Sequence, residues 1–494
     1  MKLFAPILCA LSICFVSGCA GNPLDDTSSV PAADRVVLEA CLAAPDLPGN
    51  RWPEGAGKAR CWLSLPQAPS LKDITAMLKQ DDGTLKLDRR YAEILAAHYK
   101  DPVHRDSLFR AFKDFGTPEG QLLAAEWMTK APGSAFARMA HGEATLGAAW
   151  KARGNAFADK TSDAQFESMA EQLKLAMPSL LIALHDEPRL SPACVDLMNI
   201  GDLVSDTKLR AAAAEHCTKI DPLSWNVNSM LLAGVDPRWG GSFDAMDRVV
   251  EQIRLHEKDS PMLASLLAKG IGRRAYFPIK DDSDLAPIVQ ELDRAALTGP
   301  DVFYIDRAGL AYEESGNLPK ALVYYSQALR FTPDEAGFLI HRAQLRAKMG
   351  DANLALEDAQ RAVKQPDDCG CKDDASLALV FSDLGRIDDE RAELQKAEQQ
   401  PKDRLWAMTT MCNTYFENGF DIEHGLPCTK QLAEEFPDDS YALYLRALSL
   451  YHVHDPAAAE FDARFRKVAD PSDPGHVGEI NQLEQFTKQA ADKR

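Results

Sequence analysis

The stretch DVFYIDRAGLAYEESGNLPKALVYYSQALRFTP, residues 301–333, decides the fold. Its apolar residues recur at spacings of three and four on either side of Gly316-Asn317, so it reads as two amphipathic helices joined by a tight turn. Ala308, Gly309 and Ala321 are small, which lets antiparallel helices approach closely, and Tyr312 and Tyr325 fill the space beside them. Gly316 suits the left-handed residue that ends a helix, and Pro333 stops the second helix. The same spacing returns at Leu339, Ala343, Gly350-Asp351, Ala355, Ala359, Ala362 and Pro366, a period near 34 to 35 residues.

Three weaker copies follow: Leu377-Ala378, Phe381, Gly385, Leu394, Ala397 and Pro401; then Tyr415, Gly419, Gly425-Leu426, Leu432 and Pro437; then Leu443, Ala447, Ala459, Ala463 and Pro471. They depart from the first two at Glu390, where the second helix should be small, and at His454, where the turn should be glycine. The series resembles the tetratricopeptide repeat. That resemblance implies about five helical hairpins over residues 300–472, with residues 473–494 as a capping helix and tail. It also implies a groove lined by the first helix of each hairpin, here Phe303, Asp306, Leu310 and Glu313, then Ile340, Gln344 and Lys348, then Tyr441, Tyr444, Leu448 and Tyr451. Family members that clamp a C-terminal carboxylate carry lysine and asparagine where this chain has Asp306 and Leu310, so the resemblance argues against that mode. The Tyr441-to-Tyr451 stripe suits a peptide or helix ligand, and it equally suits a core under the capping helix.

Residues 36–299 also read as helical, from apolar spacings of three and four in Tyr91 to His98, Leu122 to Met128, Phe166 to Leu184 and Met246 to Leu255. Two hairpins are expected there, Ala135 to Leu184 and Pro192 to Pro222. Asp236-Pro237-Arg238-Trp239-Gly240-Gly241-Ser242, with Ala148 to Gly154 upstream, resembles the hallmark of an uncharacterised bacterial domain family over roughly residues 85–275. That resemblance implies a fold and no activity. The expected fold class is all-α, a two-part solenoid of helical hairpins.

At the other end, Lys2 precedes an uncharged apolar run from Leu3 to Val16, too short to span a bilayer permanently. Val16-Ser17-Gly18-Cys19 resembles the lipobox of bacterial lipoproteins, which implies a signal peptide over 1–18 and diacylglycerol on Cys19. An ordinary secretory signal cut elsewhere is the alternative. Ala20 after the cysteine implies the outer membrane, facing the periplasm, and residues 19–35 read as a flexible tether. The formal net charge of −19 becomes one unit more negative once Lys2 is removed, so nucleic acid and anionic lipid headgroups are repelled. The partners expected are proteins or peptides, with the membrane reached through the lipid alone.

Beyond the signal and Cys19, eight cysteines fit an oxidising compartment. Cys194 with Cys217, and Cys412 with Cys428, fall at facing levels of helical hairpins, and Cys41 with Cys61 bracket the Pro/Gly-rich loop Pro45 to Gly57. Cys369-Gly370-Cys371 is either a redox pair, or free thiols, or a loop disulfide without a task; no further ligands accompany it for zinc. Ser242 follows two glycines as a hydrolase nucleophile would, yet Gly-x-Ser-x-Gly is absent, and an N-cap with Trp239 packed beneath is the simpler reading. His452 and His454 end a helix, where they point apart rather than toward one metal. No Walker loop or dinucleotide fingerprint occurs. The expectation is a non-enzymatic interaction scaffold at the cell envelope, without metal or cofactor. Its rivals are a thiol-disulfide enzyme using Cys369 and Cys371 and a hydrolase around Ser242.

Overall fold

The computed structural model describes residues 24, 26–28, 30–65, 68–154, 160–279, 285–365, 373–416, 420–470 and 472–492. Among them are twenty-five α-helices and no strand, the all-α class that the periodicity implies. The chain forms two compact units, Met1–Pro278 with Gln290–Tyr304, and Ile279–Val289 with Ile305–Arg494. Cys19, the apolar leader, and the Cys369 and Cys371 pair lie outside the described residues.

In the second unit the helices come in consecutive pairs. Leu318–Phe331 is followed by Ala336–Lys348 with Ala352–Lys364, Asp374–Asp383 with Ile387–Ala397, Arg404–Thr414 with Ile422–Glu435, and Ser440–His452 with Ala458–Val468. Each of these helices packs on the next, and first helices of neighbouring pairs also touch in two places, Ala336–Lys348 with Asp374–Asp383 and Arg404–Thr414 with Ser440–His452. The close approach has a visible cause at Gly309, where a Cβ would stand 2.8 Å from the Tyr325 ring.

The turns close by one recurring device. Gly316, Gly350 and Gly385 all adopt positive φ. The next residue's amide reaches back to the helix, from Asn317 to the Tyr312 carbonyl at 2.8 Å, from Asp351 to Arg346 at 2.9 Å and from Arg386 to Phe381 at 2.8 Å. At the degenerate last copy the turn is the same without glycine. His454 itself takes φ 56°, and Asp455 donates to the Leu450 carbonyl at 3.0 Å. Glu390, the other departure, is buried and sits in a helix that forms all the same.

The first unit contains both expected hairpins, Ala135–Arg153 with Asp163–Asp186 and Ser191–Leu203 with Thr207–Ile220. One aromatic cluster fills its core, with Tyr91 within 4.9 to 6.4 Å of the rings of Phe112, Trp127, Phe136 and Phe115. Disulfides join Cys41 to Cys61 and Cys194 to Cys217 in this unit and Cys412 to Cys428 in the second, with Cα separations of 5.8, 5.8 and 5.6 Å. Closing loops of this length removes roughly 3 kcal/mol of unfolded-chain entropy apiece. Glu143 and Asp196, on the helices Ala135–Arg153 and Ser191–Leu203, form a half-buried carboxyl pair that periodicity cannot show. Burial pushes Glu143 up to about 7, and burial together with the Glu143 charge raises Asp196 well above the usual range.

Two outcomes follow. Gly147→Ala places a Cβ 2.5 Å from the Gly116 carbonyl oxygen, a backbone atom that cannot swing aside. Urea titration should show a loss of about 1–3 kcal/mol, and an unchanged midpoint would refute this packing. The raised Glu143 and Asp196 favour the folded state while protonated. Their contribution is full below the ordinary carboxylate range and fades as pH climbs toward about 7. Replacing both with amides should flatten the stability profile across that window.

Candidate functional site

The residues expected to line a groove separate into three groups. Ile340 is buried in a hydrophobic core, which corrects its expected place on an open groove, and Tyr444 and Leu448 are buried too, which selects the core over the ligand surface for that stripe. The closing helix Pro474–Asp492 covers the last stripe: Leu483 enters the core, the Tyr444 hydroxyl donates to Gln482 Oε1 at 2.7 Å, and Tyr451 stacks on Phe486. Tyr441 and Tyr451 are half-buried and tied through their hydroxyls to Asn413 and Asp462. An aromatic row at helical spacing buries a large area wherever a neighbouring helix can reach it, and here one does. Phe303 is exposed in part, with its ring edge-on to Tyr276 and Tyr304.

The remaining residues come together across the first helices of the first two hairpins. Lys348 Nζ donates to Glu313 Oε1 at 2.5 Å, and the Tyr325 hydroxyl donates to Glu313 Oε2 at 2.9 Å. Two turns away, His341 Nδ1 lies 3.0 Å from Asp306 Oδ1, Arg307 pairs with the other carboxylate oxygen at 3.3 Å, and the Tyr325 ring lies against the imidazole. Leu310 and Gln344 are half-buried on the same two helices. Beneath, Arg342 grips buried Asp358 with two bonds of 2.7 and 2.8 Å, and Arg346 adds a third at 2.6 Å. A planar fork of this kind fixes the second pair of helices in angle as well as distance.

Burial pushes the His341 imidazole down, but the Asp306 charge and its hydrogen bond outweigh that and raise it overall. Tyr325 is held far above its ordinary value by burial and by Glu313. The strip is therefore ionic and prearranged. Its histidine has Asp306 as its hydrogen-bond partner among the described residues, and no Ser or Cys lies within hydrogen-bonding reach of it there.

Ser242 caps the helix Phe243–Arg254 by accepting from the Ala245 amide at 3.2 Å. Trp239 does not pack beneath it. It is 77% exposed on the Gly240 turn, while Asp236 below it is occupied by Arg273 at 2.8 and 3.0 Å. The aromatic ring was expected to cover the cap, but the short turn through Gly240 carries it outward.

A second polar cluster escaped sequence reading because its members are 126 positions apart at the extremes, from His98 to Ser224. Asp106 donates its amide to His98 Nδ1 at 3.0 Å, so the ring's proton sits on Nε2, 2.7 Å from Asp221. Ser224 donates to Asp106 at 2.5 Å, and the Trp225 amide donates to the same carboxylate at 3.0 Å. Serine, histidine and aspartate are all present without forming a catalytic triad. The serine faces the aspartate rather than the imidazole, and every member exposes 2% or less of its surface. Among the described residues no group of acidic, histidine and cysteine side chains is arranged to hold a metal.

No protein-family profile matches the chain. It is similar to tetratricopeptide repeat protein 36 of Mus musculus, 37% identical over 98 residues that make up 19% of this chain and 52% of that protein. The protein of the same name from Homo sapiens is 28% identical over 142 residues, 28% of this chain and 70% of its own length. Against the first of these relatives, the chain spans about half the relative's length. Solved structures similar to it include the human IFIT1 dimer with PPP-AAAA, 11% identical with a TM-score of 0.30 over 83% of this chain and 94% of that one. The P58(IPK) TPR domain is 13% identical, with a TM-score of 0.22 over 65% of this chain and 95% of that one. The described residues are helical, and the repeat spacing and this partial sequence similarity are of the tetratricopeptide kind.

Asp306→Asn should cost about 1–3 kcal/mol, the size of a hydrogen bond to a charged group. Because His341 is raised in the folded state, the pair stabilises fully below the free imidazole range and loses that contribution as pH rises through the folded value. Denaturant midpoints of wild type and His341→Gln should therefore converge as pH climbs from below the free imidazole range to above it; parallel profiles would reject the ion pair.

Proposed function

We propose that the chain is a non-enzymatic protein-interaction scaffold, lipid-anchored through Cys19 at a bacterial cell envelope and presenting the surface of its C-terminal array to a protein partner. The observation that carries this reading is the strip where Lys348 pairs with Glu313 and His341 sits on buried Asp306, so that side chains from successive first helices assemble into one fixed, charged face. Fixed charges select partners by complementarity and cost little to order on binding. Leu310 and Gln344 supply less polar contact area on the same helices. The similarity to tetratricopeptide repeat proteins supports protein binding as the task.

The envelope placement is supported by the Val16-Ser17-Gly18-Cys19 sequence and by three cysteine pairs at disulfide geometry, which suit an oxidising compartment. No helix among the described residues is long and apolar enough to cross a membrane, and a lipid on Cys19 would then hold the chain to its surface. The inherited acidic charge keeps nucleic acid out of the reading.

Two measurements test it. Cells given an alkyne-bearing fatty acid should label the protein, and Cys19→Ala should abolish both the label and membrane fractionation; a mature terminus elsewhere rejects the anchor. A photoreactive residue at Leu310 should capture a protein in intact cells, and Lys348→Glu should suppress that adduct while one placed at Val323 gives none. An adduct at Leu310 that survives Lys348→Glu rejects the strip.

A further inference from the structure

The loop closed by the Cys41–Cys61 disulfide forms one wall of an open cleft of about 700 Å³ in the first unit. That volume falls within the range of about 300–1,000 Å³ typical of ligand sites. Arg51 projects from the loop, Arg254 and Lys258 from the end of the helix Phe243–Arg254 and the turn after it, and Arg294 from the helix Val289–Thr298. Leu267 and Ile271, on the helix Ala264–Tyr276, contribute apolar lining. The opposing acids are Glu54 and Glu257, so cations outnumber anions four to two in a chain whose net charge is −19.

These cations are available. Arg254 shares Glu251 at 3.3 Å, while Arg51, Lys258 and Arg294 make no ion pair among the described residues. Elsewhere in the chain basic side chains are repeatedly matched with carboxylates, as Arg342 and Arg346 are with Asp358. The wall that carries Arg51 is also fixed. Its amide donates to the Leu297 carbonyl at 2.8 Å, and the indole of buried Trp52 donates to the Ala296 carbonyl at 2.8 Å. Like charges on a fixed frame repel one another unless an anion sits among them.

We propose that this cleft binds an acidic peptide segment of a partner protein, its carboxylates on Arg51, Arg294 and Lys258 and an apolar side chain against Leu267 and Ile271. The guanidinium fork suits carboxylates in two-point contact. A free inorganic anion would use the rim and leave the apolar lining idle, which is why a peptide fits better than phosphate. The inference stands apart from the array surface, since none of these residues lies in the second unit.

The test uses the full chain and a short fluorescent peptide that alternates glutamate with leucine, followed by anisotropy at low salt. The peptide should bind, release as salt is raised, and bind roughly tenfold more weakly to the double variant Arg51→Gln with Arg294→Gln. All four cations are exposed, so the variant should keep its helical circular dichroism. A second variant, Lys258→Gln, should weaken binding by a smaller factor, and Lys348→Glu in the array should leave it unchanged. No binding, equal affinity in the double variant, or equal affinity for the same peptide with glutamine in place of glutamate would overturn the proposal. Displacement by an equimolar amount of inorganic phosphate would replace the peptide with a small anion and overturn it as well.

Discussion

Two helices interlock along their length only where one of them offers little beyond a Cβ and the other fills the space left. This chain meets that condition again and again, with Gly309 under the Tyr325 ring, Gly147 against the Gly116 backbone, and Ala343, Ala359 and Ala362 buried with Leu339 and Phe381. Backbone proximity of this sort holds each pair in one register, because larger residues would have to displace main chain or a whole ring. Once the pair is set, the turn follows, and with the turn the position of every side chain on the outer faces. The ionic strip of the second unit exists because two first helices are brought within reach of each other's charges.

Ionic contacts do a different kind of work from the apolar ones. Asp358 is buried with three arginines around it, and Asp306 with one arginine and one histidine, so removing these partners would strand a charge away from water. Such pairs add little net stability over apolar packing, yet they punish the wrong alignment of neighbouring hairpins. In the first unit the His98, Asp106, Asp221 and Ser224 cluster plays the same part among segments distant in sequence. The chain thus uses small residues for closeness and buried polar groups for uniqueness.

Much of this could be read from the residues. The two best copies after Asp301 repeat small, aromatic and turn positions at fixed offsets, and both hairpins of the first unit follow from apolar periodicity. Two of the covalent pairs were legible because hairpin partners at facing levels are neighbours in space, and the third because Cys41 and Cys61 bracket a Pro/Gly-rich loop. Exposure was harder to read. A tyrosine row at helical spacing has the same pattern whether a ligand or the closing helix covers it, so for Tyr444 and Leu448 only the position of Leu483 decides between the two. Trp239 failed in the opposite sense, since the turn at Gly240 and not the ring's hydrophobicity decides where the indole points. Pairings such as Glu143 with Asp196, and convergences such as Arg51 with Arg294, depend on tertiary contact and leave no local trace.

The closing helix Pro474–Asp492 has one more consequence. A stack of identical hairpins has no natural stopping point, since its last apolar face is also a template for the first hairpin of another copy. Leu483 and Phe486 are seated on that face and take it out of reach. Open apolar ends of this sort favour head-to-tail joining of copies, and here that end is already occupied by the chain's own helix.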